Sequence, residues 1–433
     1  MHNRIVRTLS VRTTLALLAA GAAALLGTDA ASAGTIGADV TVFDLPGTTN
    51  YGVSAGIRGY SVGTTSCNIG DTPLNWCDIN GGCGNGTTSS DHPVIGQNIY
   101  RLKNGRFDQI GASWLKHGFI SLNQSASGCG NGTCVSPPLG GNQLGVGCTD
   151  PYSSNLNGSR PMGRKSEVDA TTGAYPMPPG GGGSTAAVWN QRAAVAEADL
   201  DAATNPEASY YVEGQYIAPD DATSGNGLNN ASYRKVTVQA GTFNLQFDGS
   251  TVRQKAAIEV WPLVDAAVEL VNVDVPSIPV QRFHVARKVT DLGGGVWHYE
   301  YAVHNMNSNR SASRLAVRFF GATTFENAGF HDVNSHSGEP YDTTDWPVTT
   351  MGDEISWEAP AFAPPQNANA IRWATMYNFW FDATRPPEEI ATHVLGLFSA
   401  GEPTELEFLA GANVIFIDGF ASEDTSAWSA TVP

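Results

Sequence analysis

Positive charge is scarce in this sequence. Lys+Arg number 24 against 41 Asp+Glu, charged residues of both signs make up only 15% of the chain, and the formal net charge is −17. A surface of that sign repels phosphate backbones, which argues against nucleic acid as a partner. The acids are spread out rather than run together, as on a solvated surface.

Long apolar runs are scarce as well. The run from Thr14 to Leu26 follows Arg4, Arg7 and Arg12 and precedes Ala31-Ser32-Ala33. A positive start, an apolar middle of this length and a small-x-small site read as a secretory signal peptide over residues 1–33. The run is short for a membrane span. The expectation is a secreted protein, extracellular or periplasmic at the cell envelope, with no integral membrane span after signal cleavage.

Cysteine is missing from the chain after Cys148. All six lie earlier: Cys67, Cys77, Cys83, Cys129, Cys134 and Cys148. An even count in an exported chain reads as up to three disulfides. Cys77 with Cys83 is the favoured pair, because Gly81-Gly82 lets the loop fold back. Cys67 is then left to reach the Cys129, Cys134 and Cys148 group.

Helical periodicity is thin: only Ala186 to Ala203, with Val188, Val195 and Leu200, reads as a helix. What is abundant is turn chemistry, 48 Gly and 24 Pro, between short β-branched and aromatic runs. Trp297 to His304 alternates, with Trp297, Tyr299, Tyr301 and Val303 on one face and His298, Glu300 and His304 on the other. The aromatic face is expected in a core and the other toward solvent. Lys103-Asn104-Gly105 between two alternating runs is the best hairpin signal. The fold class expected is mainly β, with β-sandwich or jelly-roll-like antiparallel sheets and long disulfide-bearing loops. The expected division is a Gly/Cys-rich N-terminal β region over 34–175, a Pro/Gly linker over 176–187 and a β-sandwich body over 188–433.

Metal-binding and acid–base side chains are densest in Gly329 to Tyr341, which holds His331, Asp332, His336 and Glu339. Two imidazoles with carboxylates beside them are ligands of the kind zinc or copper takes. A third ligand has to come from elsewhere, from His117, His304 or His92, with Glu339 or Asp332 orienting the ligands or acting as base. The competing reading is a hydrogen-bonded loop of turn and capping residues. His117 with Cys129, Cys134 and Cys148 is a weaker zinc set, because thiols in an oxidising compartment pair first.

Other motifs carry less. Gly52-Val53-Ser54-Ala55-Gly56 matches a nucleophile elbow, yet strand follows it where a helix is required. Ser113-Trp114-Leu115-Lys116 lacks its companion motifs. The oxygen-rich loop from Asp220 to Asn230 has ligand types for structural Ca²⁺ but not the EF-hand register, and reads better as Asx turns. The ten Trp, Trp346, Trp357, Trp373 and Trp380 among them, include candidates for stacking on carbohydrate, although most Trp is buried.

Tyr60 to Cys67, His92 to Asn98, Ser113 to Phe119, Leu144 to Cys148 and His331 to Tyr341 together resemble a family of uncharacterised secreted bacterial β-rich proteins. The resemblance implies export and carries over no functional residue. The leading expectation is therefore a secreted binding or structural module for an extracellular ligand, a carbohydrate or another cell-surface component. The alternative is an extracellular copper or zinc enzyme.

Overall fold

A computed structural model describes residues 35–78, 83, 91–177, 179, 182–333 and 336–410. The signal peptide expected over 1–33 lies outside these residues. The described chain is mainly β, in antiparallel sheets. None of its helices is long and apolar enough to cross a membrane.

Three sheets position the polar clefts of the molecule. The central sheet has five strands in the order Val268–Val275, Gln281–Gly293, Val296–Asn305, Thr375–Ala383 and Phe325–His331. An outer sheet runs Val348–Met351, Glu354–Glu358, Ala312–Phe319, Ile390–Leu397 and Glu405–Phe408. A hairpin sheet runs Leu245–Phe247, Ala231–Val238, Ser209–Ile217, Val94–Lys103 and Arg106–Ala112. Strands from before and after the Pro/Gly stretch at 176–187 thus share the hairpin sheet.

Period-two alternation explains the main core. Tyr299, Tyr301 and Val303 point the same way from one strand, and Tyr377, Phe379 and Phe381 from its neighbour. They meet Leu315, Val317, Phe319 and Trp357 of the outer sheet in one buried cluster. Phe381 stacks on Tyr299 with ring centroids 4.7 Å apart, and Trp357 meets Phe379 edge-on at 5.5 Å. Two sheets sharing one apolar layer are consistent with a sandwich.

The opposite face of Val296–Asn305 departs from expectation. It is not a solvent face: Glu300, Ala302 and His304 are all buried. The hairpin sheet covers it through Tyr100 and Phe107, which pack with Ala302 and Met376. Asn378 Nδ2 donates to the Phe107 carbonyl at 2.9 Å, and Met376 N donates to Gln109 Oε1 at 2.7 Å. Arg106 and Glu300 also pair across the two layers, whereas both His304 nitrogens are buried with no hydrogen-bond partner among the described residues. Strand periodicity cannot distinguish burial of this kind from solvation.

The helix expected over 186–203 also fails. Only Glu197–Leu200 is helical, and Ala193–Ala196 is a strand paired with Ile57–Val62. Edge pairing outweighs alanine's modest helix preference over so short a run. The elbow-like Gly52 to Gly56 lies in a hairpin between Thr48–Ser54 and Ile57–Val62, with strand where a helix would have to follow.

The three disulfides are Cys67–Cys129, Cys77–Cys83 and Cys134–Cys148. The first and third both tie into the four-stranded sheet of Val40–Asp44, Thr64–Asn68, Cys148–Tyr152 and Gln124–Ser125.

The Asn-Gly hairpin forms as read, joining Val94–Lys103 to Arg106–Ala112. Asn104 and Gly105 have φ of 53° and 81°, the left-handed pair that a two-residue turn of matching twist requires. Gly105→Ala is expected to lower stability by about 1 kcal/mol, because alanine is strained at this φ. Chemical denaturation at neutral pH checks this, and an unchanged midpoint counts against the turn geometry.

Candidate functional site

Near its turn, the hairpin lies against the end of the central sheet where Val296–Asn305, Thr375–Ala383 and Phe325–His331 run side by side. Between them is a cleft of about 450 Å³. The hairpin supplies Arg101, Lys103, Arg106 and Asp108, and the central sheet supplies His298, Glu300, His331 and Trp380.

Alternation in three paired strands puts the central-sheet groups on one face. Glu300 and Gly329 both register with Trp380, His298 with Asp382, and His331 with Asn378. Gly329 is needed here, because a Cβ at that position would lie 2.1 Å from the Trp380 ring.

Nearly every charge in the cleft has a partner of opposite sign. Arg106 grips Glu300 with two hydrogen bonds of 2.6 and 2.9 Å, and its guanidinium lies 3.6 Å from the Trp380 ring centroid. Arg101 donates to both oxygens of Asp108 and, at 2.9 Å, to Asp199. Lys103 Nζ donates to Thr204 O and Asn205 Oδ1 at 2.8 and 2.9 Å. His298 Nδ1 sits 2.6 Å from Asp382 Oδ1, and its Nε2 sits 3.6 Å from Glu300 Oε2.

These contacts set the protonation states. The hydrogen bond to Glu300, followed by that to Asp382, raises the His298 pKa despite partial burial. Burial works to raise the Asp108 carboxyl, but His331, 3.5 Å away, and the Arg101 guanidinium outweigh it and hold that carboxyl below its ordinary range. Asp108 is an anion fixed in place, and His298 is an imidazole inclined to keep its proton.

The other expected site residues are distributed elsewhere. His336 borders a smaller pocket with Lys165, Ser166, Tyr341, Arg372 and Trp373, and Glu339 accepts the backbone amides of Lys165 and Ser166 beside it. Asp332 accepts from Asn369 Nδ2 at 2.6 Å, and burial pushes its carboxyl up to about 6. His304 is 1% exposed and stacks on His284 at 5.7 Å. His117 Nδ1 and His92 Nε2 are 2.9 Å apart beside Tyr175. His331, His336, His304 and His117 therefore occupy four separate settings, and no three His, Cys, Asp or Glu among the described residues are grouped to hold a metal ion. The loop's acids serve mainly as hydrogen-bond acceptors for neighbouring segments, as in the turn-and-cap reading.

In the Asp220 to Asn230 loop, Asp220 accepts the Asn75 amide at 2.8 Å, and Asp221 accepts the Val40 amide at 3.0 Å. Trp346, Trp357 and Trp373 are buried, and Trp380 is part-buried under Arg106. Arg101, Arg106 and Asp108 complete the cleft, and no sequence signal points to them. The Asn-Gly turn and the His298-x-Glu300 alternation are both visible in the chain, but no local pattern shows that one folds against the other.

Compared with family models, with curated proteins and with solved structures, the chain matches none.

Proposed function

We propose that this protein is an extracellular or cell-envelope binding protein whose polar cleft takes an uncharged polyhydroxyl ligand of the carbohydrate class. One observation carries this reading: the acids and bases of the cleft are spent on one another, with Lys103 held instead by two neutral acceptors, the Thr204 carbonyl and Asn205 Oδ1. A site selecting an ion leaves a charge of one sign uncompensated. Here Arg106 is matched by Glu300, Arg101 by Asp108 and Asp199, and His298 by Asp382 and Glu300. What remains is a set of pre-positioned lone pairs and N–H groups. Hydroxyl groups, each both donor and acceptor, suit such a set. The volume of about 450 Å³ lies within the range of small-molecule clefts. Three disulfides fit an oxidising location.

Calorimetric titration of the folded protein with a panel of neutral oligosaccharides tests the proposal. Binding is expected for at least one of them, weakened by roughly tenfold or more in Glu300→Gln, since a hydrogen bond to a charged group contributes about 1.5–3 kcal/mol. Circular dichroism checks that the variant keeps its fold. The reading fails if no oligosaccharide binds, or if folded Glu300→Gln and Arg106→Gln proteins bind as tightly as the parent.

A further inference from the structure

The smaller pocket, of about 160 Å³, has the opposite charge logic to the cleft. Two cations border it, and among the described residues neither makes an ion pair with a carboxylate. Lys165 is 5% exposed, and its ammonium has only two long hydrogen bonds among the described residues, 3.4 Å to Asn98 Oδ1 and 3.3 Å to the Ala374 carbonyl. Arg372 donates through Nη2 to the carbonyls of Gln366 and Ala368, while its Nε is buried with no hydrogen-bond partner among the described residues. Its guanidinium lies 4.0 Å from the centroid of Tyr341 and 5.2 Å from that of Phe398.

The acids nearby, Glu339 and Glu213, favour a protonated Lys165 through space, but neither makes an ion pair with it among the described residues. Glu339 accepts the backbone amides of Lys165 and Ser166 at 2.5 and 3.3 Å. Glu213 lies behind Asn98, where it accepts from Asn98, Tyr100 and the Ala257 amide, and burial raises its pKa. His336 is 9% exposed and lines the pocket, and its imidazole meets the Tyr341 ring edge-on at 5.0 Å. Burial, then the positive charges of Lys165 and Arg372, push its pKa down to about 3, so it is a neutral imidazole. Burial also lowers Lys165 to about 8, which leaves it largely protonated at neutral pH. A buried cation without a counter-charge is costly, and an incoming anion relieves that cost. Trp373, Tyr341 and Phe398 supply rings rather than further charge, and the volume is below that of drug-sized sites.

We propose that this pocket binds a small organic carboxylate, the carboxylate group meeting Arg372 and Lys165 and the apolar body lying against Trp373 and Phe398. The site is independent of the cleft, and neither proposal needs the other.

The test is calorimetric titration of the whole protein with benzoate and butyrate, with benzamide as the uncharged counterpart and sulfate as an inorganic anion. At least one carboxylate is expected to bind saturably at concentrations up to roughly 10 mM. Arg372→Gln is expected to weaken that binding by roughly tenfold or more, and benzamide and sulfate are expected to bind at least that much more weakly. Lys165→Met should act in the same direction, but its burial puts folding at risk, so part-buried Arg372 is the deciding position. Absence of saturable binding by either carboxylate overturns the proposal. So does benzamide or sulfate binding as tightly as the carboxylate, or a folded Arg372→Gln protein with unchanged affinity.

Discussion

Replacing Cys67 and Cys129 together by serine is expected to lower the unfolding free energy by roughly 4 kcal/mol. The bond joins residues 62 apart, whereas Cys134–Cys148 spans 14 and Cys77–Cys83 spans 6. On the chain-entropy account, the loop that each bond closes in the unfolded chain sets its contribution, roughly 4, 3 and 2 kcal/mol in that order. The fold should reinforce the ranking. Cys67 and Cys129 are both fully buried, and Cys67 sits on a strand paired on both sides, with Val40–Asp44 and with Cys148–Tyr152. Two hydroxyls put into that site also lack the environment they need. The measurement is guanidinium denaturation of the three paired serine variants under one set of conditions. A Cys77/Cys83 variant that loses as much as the Cys67/Cys129 variant would show that loop entropy is not what these bonds contribute.

The same disulfides illustrate what is legible in the sequence. Gly81-Gly82 favours a local Cys77–Cys83 loop, which leaves Cys67 to reach the later cysteines, and both inferences rest on chain geometry that local residues determine. The strand Val296–Asn305 and the turn at Asn104-Gly105 are legible for the same reason: alternation and φ preference are properties of neighbouring residues. What stays hidden depends on which surfaces meet. Nothing near Glu300 shows that Arg106, 194 positions away, will cover it. Nothing near His336 shows that Lys165 and Arg372 will share its pocket. Gly329 to Tyr341 is dense in polar side chains, yet the fold sends His331 to one cleft and His336 to another, while Glu339 accepts the Lys165 amide. Counting polar groups per segment therefore locates the neighbourhood, but cannot assign those groups to sites.

Replacing Asp221 by asparagine is expected to stabilise the protein progressively as pH rises. Asp221 is 1% exposed, and its two oxygens accept the Val40 amide at 3.0 Å and Asn230 Nδ2 at 2.7 Å. Burial raises its pKa to about 8, against the lowering effect of those two hydrogen bonds, and the neighbouring Asp39 and Asp220 add to the rise. In the unfolded chain the same carboxyl releases its proton near about pH 4. Between about pH 4 and 8 the folded state holds a proton that the unfolded state has given up. The stability linked to that proton is complete below about pH 4 and is lost as pH climbs through about 8. At roughly 1.4 kcal/mol for each tenfold change in acidity, the loss amounts to at most about 6 kcal/mol. Asparagine has no charge to bury. Its carbonyl oxygen still accepts the Val40 amide. Its amide can donate to Asn230 Oδ1, which is buried without a partner among the described residues, once the Asn230 amide turns over. Denaturation of the two proteins in parallel at roughly pH 4, 6, 8 and 9 should give midpoints that separate steadily in favour of asparagine. Curves that stay parallel across that range would mean that Asp221 is ionised in the folded protein at neutral pH, and that the contact between Val40 and the Pro219–Ser224 helix is a charged one.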